Sequence, residues 1–102
     1  MNRTALAAMV AIAAFSTVGS VHAAGDIQAG KAKAAACVGC HGANGQGVAP
    51  NPALAGKNEN QLAQALRDFK SGKRDNAVMK GMASVLSGQD IENVAAYYAS
   101  LK

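Results

Sequence analysis

At 102 residues the chain is sized for one domain, and half of it is apolar, although it has only two tyrosines, two phenylalanines and no tryptophan. Ten lysines and arginines against six acidic residues give a formal net charge of +4. That balance is too small and scattered for a nucleic-acid-binding face, which would also need more aromatic rings for stacking; it is enough to steer an acidic partner.

The first segment has the layout of a secretory signal peptide. Met1-Asn2-Arg3 is a short positive start, residues 4–15 are alanine-rich and mostly apolar, and Val21-His22-Ala23 places small residues at a cleavage site. The apolar run falls short of the roughly 20 residues needed to span a bilayer, so no stable membrane insertion is expected. An uncleaved anchor is the competing reading. Cleavage after Ala23 makes residues 1–23 the leader and residues 24–102 the mature domain, exported to a bacterial periplasm. Removing 23 of the 102 residues leaves 79, and losing Arg3 takes the net charge to +3. A chain this small rarely builds a sufficient core unaided, and usually adds a staple, metal or cofactor.

The mature chain opens on a helix. Asp26 is a suitable N-cap, and residues 27–36 are rich in alanine, lysine and glutamine. Gly30 interrupts them at a cost of about 1 kcal/mol relative to alanine, and so marks a close backbone approach more often than an accident. The helix is expected to run into Cys37 and end near His41-Gly42, with Gly42 in the left-handed C-terminal conformation. Residues 42–58 hold four glycines and two prolines. They read as an irregular loop, longer than a compact domain tolerates unless it serves a function.

Asn58 and Gln61 are spaced as a capping box for a second helix, with Leu62, Leu66 and Phe69 on one buried stripe. Gly72 is its terminator, and Lys70, Lys73 and Arg74 complement its negative end. Residues 75–86 read as a loop or loosely helical turn holding Met79 and Met82 on either side of Gly81. Ser87 and Asp90 then open a last helix in which Ile91, Val94, Ala95, Tyr98 and Leu101 recur at helical spacing, with Tyr97 beside them. No alternating strand is visible. The expected fold is all-α, with three principal helices.

Both cysteines and one of the two histidines fall in Cys37-Val38-Gly39-Cys40-His41. A C-x-x-C-H run is the attachment pattern of a c-type haem, in which two thiols add to vinyl groups and the adjacent imidazole binds iron. Cysteines three apart on a helical turn share a face, and the next residue can turn its ring toward the iron. A thioredoxin-like pair would sit near a βαβ pattern, and a structural zinc site would need four ligands; neither is present. One covalent haem c would also supply the interior that so short a chain lacks. His41, as the proximal ligand, needs a fixed acceptor for its Nδ1–H. The Pro52 carbonyl is the candidate, with a mere turn-shaping role for Pro52 equally open. Once His22 is removed no second histidine exists, so the sixth ligand falls to Met79 or Met82. Methionine there raises the reduction potential and closes the iron to outside ligands; the competing role of either is core filling.

Four stretches in this order carry a resemblance to a known family. They are Gly30 seven residues before Cys37, the C-V-G-C-H-G run, Asn51-Pro52-Ala53-Leu54-Ala55-Gly56, and Met79-Lys80-Gly81-Met82 ahead of Leu86-Ser87-Gly88-Gln89-Asp90-Ile91. Together they resemble class I c-type cytochromes, most nearly the small bacterial cytochrome c-553 type and a single domain of cytochrome c4. The resemblance implies the cytochrome c fold, with N- and C-terminal helices crossing where Gly30 lets the backbones approach, against Val94 and Tyr97. It also implies Met79 as the axial methionine, with Met82 the alternative. Cytochromes c4 carry two such domains in tandem and one such pattern is found here, so monomer and homodimer both stay open.

The function expected is that of a soluble single-haem one-electron carrier in a periplasmic respiratory or related chain, not an enzyme. Its partners would be redox protein donors and acceptors with an acidic docking face, met by Lys57, Lys70, Lys73, Arg74 and Lys80. The alternatives are a subunit permanently docked to a dehydrogenase or oxidase, and a haem peroxidase or gas sensor with an open sixth position. The last would need a distal base, and the mature chain has no distal histidine.

Overall fold

The computed structural model describes residues 25–102, and the signal-peptide reading of residues 1–23 lies outside them. Within the described residues all regular structure is helical, apart from one isolated bridge between Val48 and Asn51. Helix α1 (Ile27–Lys33) begins at Asp26, whose carboxylate accepts from the Ala29 N–H at 2.9 Å, pairing a donor that the first turn leaves free. The chain tightens into a 3-10 turn over Ala34–Ala36, passes Cys37 and resumes as the single-turn α2 (Val38–His41). The continuous helix expected from composition is therefore broken just before the first cysteine. Gly42 ends α2 at φ +95° and ψ 151°, a positive-φ conformation essentially confined to glycine, rather than the left-handed helical one expected. Its N–H still bonds to the Val38 carbonyl, and the chain then leaves outward into the loop.

Helix α3 (Glu59–Ser71) is capped by Asn58, which accepts from the Gln61 N–H at 3.0 Å. Gly72 closes it in the left-handed region at φ +85°, where a residue without Cβ meets no penalty. Residues 75–86, expected as a loop or loosely helical turn, contain a regular eight-residue helix, α4 (Ala77–Ser84). Asn76 caps it by accepting from the Met79 N–H at 2.9 Å. Gly81 does not break it, because that position faces open space and forfeits no packing. So short a helix fills less than the window over which helical periodicity becomes readable. Helix α5 (Gly88–Ser100) starts on a reciprocal box, with Ser87 and Asp90 each accepting from the other's N–H at 3.0 Å.

Helix α1 crosses α5, α3 packs on α5, and α4 packs on α3. The first crossing is very close: a Cβ on Gly30 would lie 1.9 Å from the Asn93 carbonyl oxygen and 2.9 Å from the Tyr97 Cβ. Tyr97 is where the sequence placed it, but the Asn93 backbone, not Val94, is the nearest surface. Val94 packs instead with Ala34 and Tyr98. Asn93 is buried and accepts from the Asp26 N–H at 2.8 Å and from Gln89 Nε2 at 3.0 Å, so it ties the start of α1 to α5.

Around this crossing the core is thin. One cluster joins Ala63, Leu86, Ile91 and Ala95, and another Ala34, Val94 and Tyr98. Tyr98 and Ile91 are the largest fully buried side chains. The α3 stripe is shallower than expected, since Ala63 is its buried member while Leu62, Leu66 and Phe69 are half-buried. Among the described residues no helix is long and apolar enough to cross a membrane.

Replacing Gly30 with alanine should force the two backbones apart and cost about 1–3 kcal/mol, as overpacking does. Denaturant titration of the variant against the parent measures this, and an unchanged midpoint would remove the crossing as a stabilising contact.

Candidate functional site

The broken helix sets the geometry of the pentapeptide. The Cys37 N–H bonds to the Ala34 carbonyl at 2.7 Å, and the His41 N–H to the Cys37 carbonyl at 2.9 Å. Cys37 and His41 are thus one α-helical turn apart and share a face. Cys37 is half-buried, Cys40 is exposed, and no disulfide joins them.

The glycine-rich loop folds back over the end of α2. The Gly47 N–H bonds to the His41 carbonyl at 2.7 Å, Asn51 Nδ2 to the Cys40 carbonyl at 3.0 Å, and the Leu54 and Ala55 N–H groups to the Gly45 carbonyl at 2.8 and 2.9 Å. Gly45 has φ +69°, and a Cβ there would lie 2.7 Å from the Tyr98 ring. Both facts require glycine where the loop presses on α5. The result is a Pro52 carbonyl oxygen 2.8 Å from His41 Nδ1. A carbonyl only accepts, so Nδ1 carries the hydrogen, and in the neutral ring Nε2 is the nitrogen left with a lone pair. His41 itself is 93% screened from solvent, at 7% exposure.

A cleft of about 250 Å³ opens beside this turn. Lys33, Ala36 and Cys37 form one side, Leu66 of α3 another, and Met79, Met82, Val85 and Leu86 the rest. The structure therefore brings Cys37 and both candidate methionines to one cavity. Met79 is half-buried and Met82 is 39% exposed. Cys40 and His41 do not line it, although His41 shares the face of Cys37 that does.

Burial pushes the Cys37 thiol up, against a smaller lowering by the neighbouring Tyr98 hydroxyl. An activated redox thiol has the opposite signature. Burial likewise pushes the Tyr98 phenol up, and the Cys37 sulfur adds to the rise. The Tyr98 hydroxyl is buried with no regular hydrogen bond among the described residues. At the cleft edge Lys33 Nζ lies 3.5 Å from Asp90 Oδ2. The Asp90 carboxyl is held low, first by the Ser87 backbone N–H of the capping box.

Of the five docking charges read from sequence, two are engaged within the chain. Lys70 donates to the Leu86 carbonyl, and the Arg74 guanidinium stacks 4.6 Å from the centre of the Phe69 ring. Lys57, Lys73 and Lys80 are exposed. Sequence reasoning assigned no role to Asn51, Asn93 or the Tyr98 hydroxyl. Asn51 had a signal, since it stands next to Pro52 in a stretch singled out for other reasons.

An all-helical chain that crosses its terminal helices beside a C-x-x-C-H turn defines the class of c-type cytochromes. The family model described as cytochrome c matches residues 27–102. Cytochrome c4 of Pseudomonas aeruginosa is 52% identical over 85 residues, which covers 82% of this chain and 42% of that protein. Cytochrome c-554(548) of Halomonas halodenitrificans is 43% identical over 81 residues, covering 76% of this chain and 98% of that one. A solved structure of Acidithiobacillus ferrooxidans cytochrome c4 superposes with a TM-score of 0.72 at 36% identity, over 81% of this chain and 52% of that one. The chain thus spans about half the length of the cytochromes c4 it matches and nearly all of the Halomonas protein. It belongs to the cytochrome c family, whose cofactor is covalent haem c.

The residues present fit that group. Cys37 and the thioethers of Met79 and Met82 line one apolar cleft, Cys40 lies three residues after Cys37, and His41 shares the Cys37 face with its Nδ1 engaged by the Pro52 carbonyl. Among the described residues no set of three or more His, Cys, Asp or Glu side chains could hold a metal ion. Several large apolar side chains also stay uncovered, Val85 at 77% exposure among them, as at the rim of a site that a flat apolar group completes.

If Cys37 and Cys40 are the attachment points, the doubly substituted Cys37→Ser/Cys40→Ser chain should melt well below the haem-loaded parent, because it lacks the apolar group that completes so small a core. Thermal melting by circular dichroism checks this, and equal melting temperatures would mean that the protein core suffices alone.

Proposed function

We propose that this chain is an exported one-electron carrier. On this reading Cys37 and Cys40 hold haem c covalently, His41 is the proximal ligand and Met79 the sixth. The observation that carries it is the 2.8 Å contact between His41 Nδ1 and the Pro52 carbonyl, which fixes the tautomer and aims the free nitrogen of a buried ring. When bound, haem c supplies a one-electron ferrous–ferric couple. The chain's own residues do the rest. Pro52 orients His41 and raises its basicity through the hydrogen bond. Leu66 and Leu86 line the cleft with apolar surface, and a thioether from α4 would offer the group a further ligand, so that little would rearrange on electron transfer. The Acidithiobacillus relative is described in terms of electron transfer tuned by complex formation, which supports the same role here. Residues 1–23 would direct export to the periplasm and be removed.

An optical spectrum of periplasmic protein in both redox states tests the reading. A sharp ferrous α-band and a weak ferric near-infrared sulfur–iron band are expected, with an intact mass that begins at Ala24. Met79→Ala should lose the near-infrared band and Met82→Ala should keep it; the reverse assigns Met82. A parent protein without the band, or one that binds carbon monoxide rapidly, would favour an open-site sensor or peroxidase.

Exposed Lys57, Lys73 and Lys80 remain as docking charges. The association rate with an acidic redox partner should fall about tenfold or more between ~0.01 M and ~0.15 M ionic strength. Stopped-flow kinetics measures it, and a flat response would make docking mainly apolar.

A further inference from the structure

Lys70 lies in the last turn of α3, and its Nζ donates to the Leu86 carbonyl oxygen 16 residues further on. That carbonyl belongs to the joint between two other helices. Val85 is the C-cap of α4, the Leu86 N–H bonds back to the Ala83 carbonyl at 3.0 Å, and Ser87 is the N-cap of α5. A hydrogen bond from an ionised donor is stronger than one between neutral groups. This ammonium also sits at the C-terminal end of α4, where the helix dipole favours positive charge.

The helix so held is thinly anchored. Ala83 is its buried residue, while Val78 is 68% exposed and the adjoining Val85 77%. Its packing is against α3. Yet α4 carries both Met79 and Met82, and the side chain of Leu86 lines the cleft beside them. Short helices with few buried contacts open locally at far lower free energy than the whole domain unfolds.

We infer that Lys70 is a positioning residue for the methionine wall: through Leu86 it locks the end of α4 onto α3 and keeps the thioether at the cleft. This rests on the sulfur ligation proposed above. Lys70 acts through the α4–α5 joint and needs no contact with the cofactor. Its ammonium is engaged within the chain by this hydrogen bond, although the residue is exposed.

The test compares haem-loaded parent, Lys70→Met and Lys70→Arg. Methionine keeps most of the apolar stem and removes the charge and donors; arginine keeps both. Guanidinium titration is followed by the ferric near-infrared band and by far-ultraviolet circular dichroism, and carbon monoxide binding to the ferrous form is timed. Lys70→Met should lose the band at lower denaturant while its helical midpoint stays at the parent value. It should also bind carbon monoxide about fivefold faster, the scale of one lost hydrogen bond. Lys70→Arg should behave as the parent. A band and a helical midpoint that shift together would make Lys70 merely structural, and a parental carbon monoxide rate in Lys70→Met would equally overturn the clamp. If the parent itself lacks the band, the ligation reading falls and takes the clamp with it, an outcome told apart because it needs no variant.

Discussion

The contact between Gly30 and the Asn93 backbone is the constraint from which the rest of the molecule is built. With a Cβ excluded at 1.9 Å, α1 lies directly on α5 and its direction is set by backbone rather than by adjustable side chains. Asn93 then pins the first turn of α1 by a bond to the Asp26 N–H. The 3-10 turn, Cys37 and α2 follow without a free linker, so the pentapeptide inherits its position from a crossing that begins seven residues earlier. The same helix α5 receives the glycine loop at Tyr98 and α3 at Ala95. Both sides of the cleft are therefore referenced to one helix.

What the helices enclose is meagre. Ala34, Ala63, Ala83, Ala95 and Ala96 make up much of the buried set. Small residues let helices approach closely but add little apolar area, so burial among them stabilises weakly. Leu62, Leu66 and Phe69 stop half-way in, and Val85 scarcely enters. An apolar prosthetic group would explain this unevenness: the helices pack against each other through alanine, while Leu66, Val85 and Leu86 line the cleft that would receive it. Such a group would be part of the core as well as the redox centre.

Much of this was legible in the sequence. The caps at Asp26, Asn58 and Ser87, the terminator at Gly72 and the α5 stripe are local signals, and each formed where its chemistry required. Gly30 was legible as a close approach because helices rarely keep a glycine without a reason. The break at Ala34–Ala36 was not, since alanine favours helix. Helix α4 was obscured by Gly81 and by its brevity, and its cap, Asn76, stands among loop-like residues. The inward use of Lys70 and Arg74 was also hidden, because a lysine or arginine at a helix end reads as solvated until its acceptor, Leu86 or Phe69, is brought alongside by the fold.

The acceptor that orients His41 is a main-chain oxygen, and this has a consequence for how the site can vary. No side-chain replacement at position 52 deletes that oxygen; every residue there offers the same carbonyl. The orientation of the imidazole is encoded in the path of the loop, through the straps at Gly45, Gly47 and Asn51. An alanine scan of the residues nearest the ring would pass over the bond without registering it. Its sensitivity lies displaced along the chain, at positions that never touch the histidine side chain, and drift in ligand basicity among relatives would be traced to loop geometry before it was traced to any exchanged functional group.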